Sequence, residues 1–161
     1  MKKLVLLGMA LATFAMAQEG PLFGTVGRAT LTNRDGAKAQ VAFEVGSAAD
    51  GTLRGKLEFA SITTRASDRI VRLSLVRPAR LVVEGHTATF SGPGVLIVRT
   101  PTGETRVQGV IDCRVDDNRR PVAPSNTPDR MAIRFASPTS NATYQFEGVA
   151  YPGDLRVFDN R

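Results

Sequence analysis

Beyond the first 17 residues, apolar and polar side chains alternate along most of the chain with a period of two. The cleanest run is Leu53, Gly55, Leu57 and Phe59 against Arg54, Lys56 and Glu58, and Val41, Phe43 and Val45 alternate with Ala42 and Glu44 in the same way. Successive side chains of a strand point to opposite faces, so this pattern predicts strands with one face in a core and the other in water. An opening strand is expected near Gly24–Leu31, with others at Ile70–Val76, Ala79–Glu84, Thr87–Ser91, Val95–Thr100, Thr105–Val115, Met131–Ala136, Thr143–Ala150 and Leu155–Phe158. Turn-forming clusters separate most of them: Asn33-Arg34-Asp35-Gly36, Ala49-Asp50-Gly51, Arg77-Pro78, Ser91-Gly92-Pro93-Gly94 and Pro101-Thr102-Gly103. No segment after residue 17 keeps a 3.6-residue apolar period for three turns. The prediction is an all-β fold: an antiparallel β-sandwich, or a partly closed barrel, of about ten short strands.

The amino terminus breaks the pattern. Met1-Lys2-Lys3 is a basic start, Leu4 to Phe14 an apolar run, and Ala15-Met16-Ala17 a small-x-small cleavage site. These are the parts of a secretory signal peptide in order, so residues 1–17 are expected to be removed, leaving a single all-β domain over 18–161. The apolar run is too short to cross a bilayer, which takes about twenty residues, and no transmembrane segment is expected after cleavage. With no Cys at the cleavage site to accept a lipid, the expected location is secreted or periplasmic, and the style of the signal is bacterial.

Charge narrows the partners. Of 21 basic residues two lie in the signal, so the remainder exceeds the 15 acids only modestly, which does not point to nucleic acid. Arg65, Arg69, Arg72, Arg77 and Arg80 crowd one region that could meet an anionic polysaccharide or lipid headgroups, but no aromatic lies between Phe59 and Phe90, and with no Trp and only Tyr144 and Tyr151 the stacking platforms of single-stranded nucleic-acid or sugar binders are poorly supplied. The one cysteine, Cys113, falls on the apolar face of Val107, Gly109, Ile111 and Val115, as a buried thiol would. The one histidine, His86, lies in the turn-like Glu84-Gly85-His86-Thr87. There is no GxSxG, HExxH or phosphate-loop motif, and a lone His excludes a two-His metal site.

The long irregular stretch Asp116–Pro128 carries three prolines and is flanked by oxygen-bearing side chains. Asp112, Asp116, Asp117, Asn118 and Asp129 are therefore candidate ligands for calcium, which takes six to eight oxygens at about 2.3–2.6 Å. The competing reading is that Asp116, Asp117 and Asn118 cap a turn through bonds to the backbone while Arg119, Arg120 and Arg130 neutralise the cluster.

The order of motifs also resembles a known family. Gly24-Thr25-Val26-Gly27, Ala37–Val45, Gly51–Phe59, His86–Gly94, a strand ending in Asp112, Asp129 opening Met131–Phe135, and Tyr144–Val157 follow one another as in the exported post-COAP-type β-domains of bacteria. The resemblance covers most of residues 18–161 and implies a compact all-β domain with no established activity or ligand. The expected function is an exported binding or structural interaction domain of the bacterial envelope or exterior, without catalytic activity. Its expected partner is an envelope protein or an anionic polysaccharide, and calcium is the one cofactor suggested. The rival is a secreted hydrolase using a pair of carboxylates.

Overall fold

The computed structural model describes residues 20–62, 69–118 and 127–161; residues 1–17, expected to be a signal peptide, Arg65 and the middle of the 116–128 stretch lie outside these. The described residues form nine strands and no helix: β1 Phe23–Thr32, β2 Lys38–Ser47, β3 Leu53–Ile62, β4 Ile70–Leu75, β5 Arg80–Glu84, β6 Thr87–Thr100, β7 Gly103–Asp116, β8 Arg130–Ala136 and β9 Thr143–Asp159. All pairings are antiparallel, in the order β4-β3-β2-β1-β9-β8-β7-β6-β5. A further pairing of β4 with β6, from Ile70 opposite Arg99 to Leu75 opposite Gly94, joins the two ends into a closed barrel of eight strands. The ninth, β5, is a short strand on the first half of β6.

Two places depart from the expected strand list, and each has a local cause. Ser91-Gly92-Pro93-Gly94 is no turn but the middle of the 14-residue β6. β4 and β5 share one edge of β6 in tandem, and the corner between them presses on Gly92, where a Cβ would come within 2.4 Å of the Arg77 carbonyl oxygen. Pro93 faces that corner, where the edge has no ladder partner to need its missing N–H. Likewise the runs at 143–150 and 155–158 are one 17-residue strand, β9, irregular at Tyr151-Pro152-Gly153, where the register with β1 shifts. Gly153, at φ 128°, approaches the Ala29 Cα so closely that a side chain would not fit. The predicted Asn33–Gly36 turn is present, closed by Asn33 Oδ1 accepting from the backbone N–H of Asp35 and Ala37.

The inward positions fill the barrel. Phe43 on β2 stacks against Phe90 on β6 with centroids 5.8 Å apart, and Phe59 on β3 meets Tyr144 and Phe146 on β9 at 5.8 and 5.4 Å. Neither pair lies on neighbouring strands, so these rings meet across the interior. Leu31, Leu57, Leu73, Ile111, Met131, Ile133 and Leu155 complete a single core. The middle of the barrel is thus occupied by side chains, the usual outcome for eight strands.

Replacing Phe59 by Ala removes the ring that both β9 aromatics contact, and should cost about 3–5 kcal/mol of stability. Urea unfolding followed by circular dichroism measures this; a loss below about 1 kcal/mol would mean that the rings do not meet across the barrel.

Candidate functional site

Two regions carry side chains with chemistry to offer: the acidic corner at one end of the barrel, and the outer face of the wall. The corner arises from unequal strand lengths. β8 pairs with β9 only from Arg130 opposite Val149 to Ala136 opposite Thr143. β9 continues to Asp159 along β1, and on its other edge the N–H groups beyond Val149 have no strand to bond. Buried donors of this kind must be paired. Asp129 supplies three acceptors: its carbonyl takes the Ala150 N–H at 2.9 Å, Oδ2 the Leu155 N–H at 3.2 Å, and Oδ1 the Asn118 N–H at 2.9 Å. Oδ2 of Asp117 takes the Val157 N–H at 3.0 Å. Asn118 Nδ2 donates to the Pro128 carbonyl, and the Asp117 N–H donates to the His86 carbonyl in the exposed β5–β6 turn. Asp129 is fully buried and Asp117 nearly so. These side chains stand in for the missing part of β8.

Of the five candidate ligands, the structure brings Asp117, Asn118 and Asp129 together and sends the other two outward. Asp116 is held below the usual carboxylate range: partial burial pushes it up, but hydrogen bonds from Arg114 and Thr87 and the Arg114 charge outweigh that. Asp112 is exposed on the outer wall, in register between Ser91 and Arg134. Among the described residues no group of three or more His, Cys, Asp or Glu is placed to hold a metal ion. Asp117 and Asp129 thus bond to the backbone of the distant strand β9, a role that neither reading of this region described.

Cys113 is buried opposite Phe90 and Ile133, and burial, with a smaller contribution from the Asp112 charge, pushes its thiol up. His86 is exposed in its turn, near the Asp116 end of β7, so the two do not meet.

Among the arginine-lined grooves of the outer wall, two have floors of small side chains. One, about 510 Å³, crosses β1 to β4 and is lined by Arg28, Gln40, Glu58 and Arg72 over a floor that includes Ala42 and Ala60, with Pro152 of β9 at its side. The other, about 360 Å³, crosses β5 to β8 between Arg80, Arg114 and Arg134 over Thr89, Ser91 and Ala132, with Asp112 inside it. Each contains one carboxylate. The Arg69–Arg80 cluster seen in the sequence is thereby divided: Arg72 belongs to the first groove and Arg80 to the second. Arg28, Gln40 and Glu58 were not singled out in the sequence, since strand register alone brings them to Arg72: Arg28 aligns through Ala42 to Glu58, and Gln40 through Ala60 to Arg72. The available signal was the pair of alanines at outward positions of otherwise polar strand faces.

No protein-family model, curated protein or solved structure matches the chain.

Asp129→Asn would turn an amide N–H₂ toward a backbone N–H donor, and should destabilise by about 2–3 kcal/mol, whereas exposed Asp112→Asn should stay within about 0.5 kcal/mol. Denaturant melts of the two variants decide this, and equal small effects would remove the strand-substitute role. The Cys113 thiol should resist a disulfide reagent such as Ellman's in the folded protein and react at once in urea; rapid reaction without denaturant would contradict its burial.

Proposed function

We propose that this chain is an exported, non-catalytic binding module of the bacterial envelope or exterior, which engages its partner on the outer surface of the barrel. The observation that carries the reading is the division of labour between the two faces of the wall. Inward positions are spent on the core, and the buried acids Asp117 and Asp129 on the backbone of β9. The side chains left with spare hydrogen-bonding capacity face outward, in grooves whose walls are arginine. A rigid closed sheet holds such groups at fixed spacing, which is what recognition needs. The signal-like residues 1–17 support export, and the order of motifs shared with post-COAP-type β-domains supports a small exported β-domain.

The test is where the protein resides and where it begins. Mass spectrometry of the protein recovered from periplasm and medium should give Gln18 as the first residue. Retention in the cytoplasm with residues 1–17 attached would overturn the reading.

A further inference from the structure

We infer that the groove across β1–β4 binds an anionic polysaccharide, its carboxylate or sulfate groups held by Arg28 and Arg72 and its hydroxyls by Gln40 and Glu58. The inference rests on the surface-binding reading above and adds the chemistry of the partner.

The first support is the segregation of charge around the barrel. Strands β1 to β4, with the adjoining halves of β6 and β7 (94–100 and 103–109), carry seven basic residues and three acids. The remainder of the wall, β5, β8, β9 and residues 110–116 of β7, carries five basic residues and six acids. The modest excess of positive charge is thus concentrated on one side, where it attracts a polyanion.

The groove itself has the parts to hold one. Arg28 and Arg72 are exposed, and neither forms an ion pair among the described residues. Their planar forks suit carboxylate and sulfate oxygens bidentately. Gln40 can both donate and accept, and Glu58, which already takes the Ser74 hydroxyl at 2.6 Å, accepts from hydroxyl groups. Because Ala42 and Ala60 leave the floor low, the space of about 510 Å³ lies within the size range of ligand sites.

A chain fits better than an isolated anion. Arg72 also lines the neighbouring groove, with Arg99, Glu104 and Arg106 around Ile97. Arg28 to Arg72 spans three strand spacings and Arg72 to Arg106 two, about 14 Å and then about 10 Å along the sheet, so unpaired cations recur along one continuous track. Tyr151, 71% exposed and the single exposed aromatic among the described residues, adjoins the Pro152 that lines the groove. One ring can pack on a sugar face, whereas a single-stranded nucleic acid draws on a series of them.

Calorimetric titration of the purified protein with polygalacturonate, dextran sulfate and neutral dextran tests the inference. At least one of the two polyanions should bind, with affinity falling as salt is raised, and neutral dextran should not; which polyanion binds distinguishes carboxylate from sulfate. Arg28→Ala and Arg72→Ala should each weaken binding by about tenfold or more, while Arg134→Ala in the other groove should stay within about twofold. No binding to either polyanion, equal loss in Arg134→Ala, or binding to anionic phospholipid vesicles in place of the polysaccharides would each overturn the inference. If the protein begins at Gln18 outside the cytoplasm and yet binds neither polyanion, this groove assignment falls and the module reading stands.

Discussion

A closed sheet must find a partner for every buried N–H and C=O along its wall, and in this protein one stretch of that demand is met by side chains. Between β4 and β6 the ordinary ladder closes the barrel. Between β8 and β9 it cannot, because the seven residues of β8 end while β9 runs on for another ten. The carboxylates of Asp117 and Asp129 take over, accepting the N–H groups of Val157 and Leu155. Hydrogen bonds to charged acceptors are the stronger kind, and leaving such donors unpaired would cost about 1–3 kcal/mol each. The acidic corner therefore completes the wall and ties both ends of the 116–130 connection to β9.

Completion of the wall fixes which residues are free to act. Once each of the eight barrel strands has two neighbours, or a substitute for part of one, the pleat sends alternate side chains to a core closed by Phe43, Phe59, Phe90 and Phe146, and the others to solvent. Outward relief is then set by side-chain size: small residues such as Ala42 and Ala60 make depressions, and the long arginines around them make walls. The same register that builds the core brings Arg28, Gln40, Glu58 and Arg72, far apart in sequence, to one surface.

The all-β fold was legible because alternation is a local signal and the wall has one wet face throughout. Runs such as 53–59 carry it without ambiguity. What misled was punctuation: Gly92-Pro93-Gly94 and Tyr151-Pro152-Gly153 have the composition of turns, yet there the glycines admit the close approach of another segment, Arg77 to Gly92 and Ala29 to Gly153. Composition records that a side chain is missing and does not record what fills its place. Asp117 and Asp129 drew attention in the sequence as candidate calcium ligands, and their service to the backbone of β9 was not legible there, because it depends on where β8 stops. The grooves were least legible, since they depend on strand order around a barrel whose closure no local pattern announces.

The central claim is that the barrel is structural inside and recognises its partner outside, on one side of the wall. Its most direct test is an amide nuclear magnetic resonance titration of the labelled protein with polygalacturonate and with dextran sulfate. The account predicts shifts concentrated on β1 to β4 and the adjoining parts of β6 and β7, with the amides of core residues such as Ile133 and of the Asp117–Asp129 corner unmoved. Shifts centred on that corner or on the β5–β8 groove, or none with either polyanion, would contradict it.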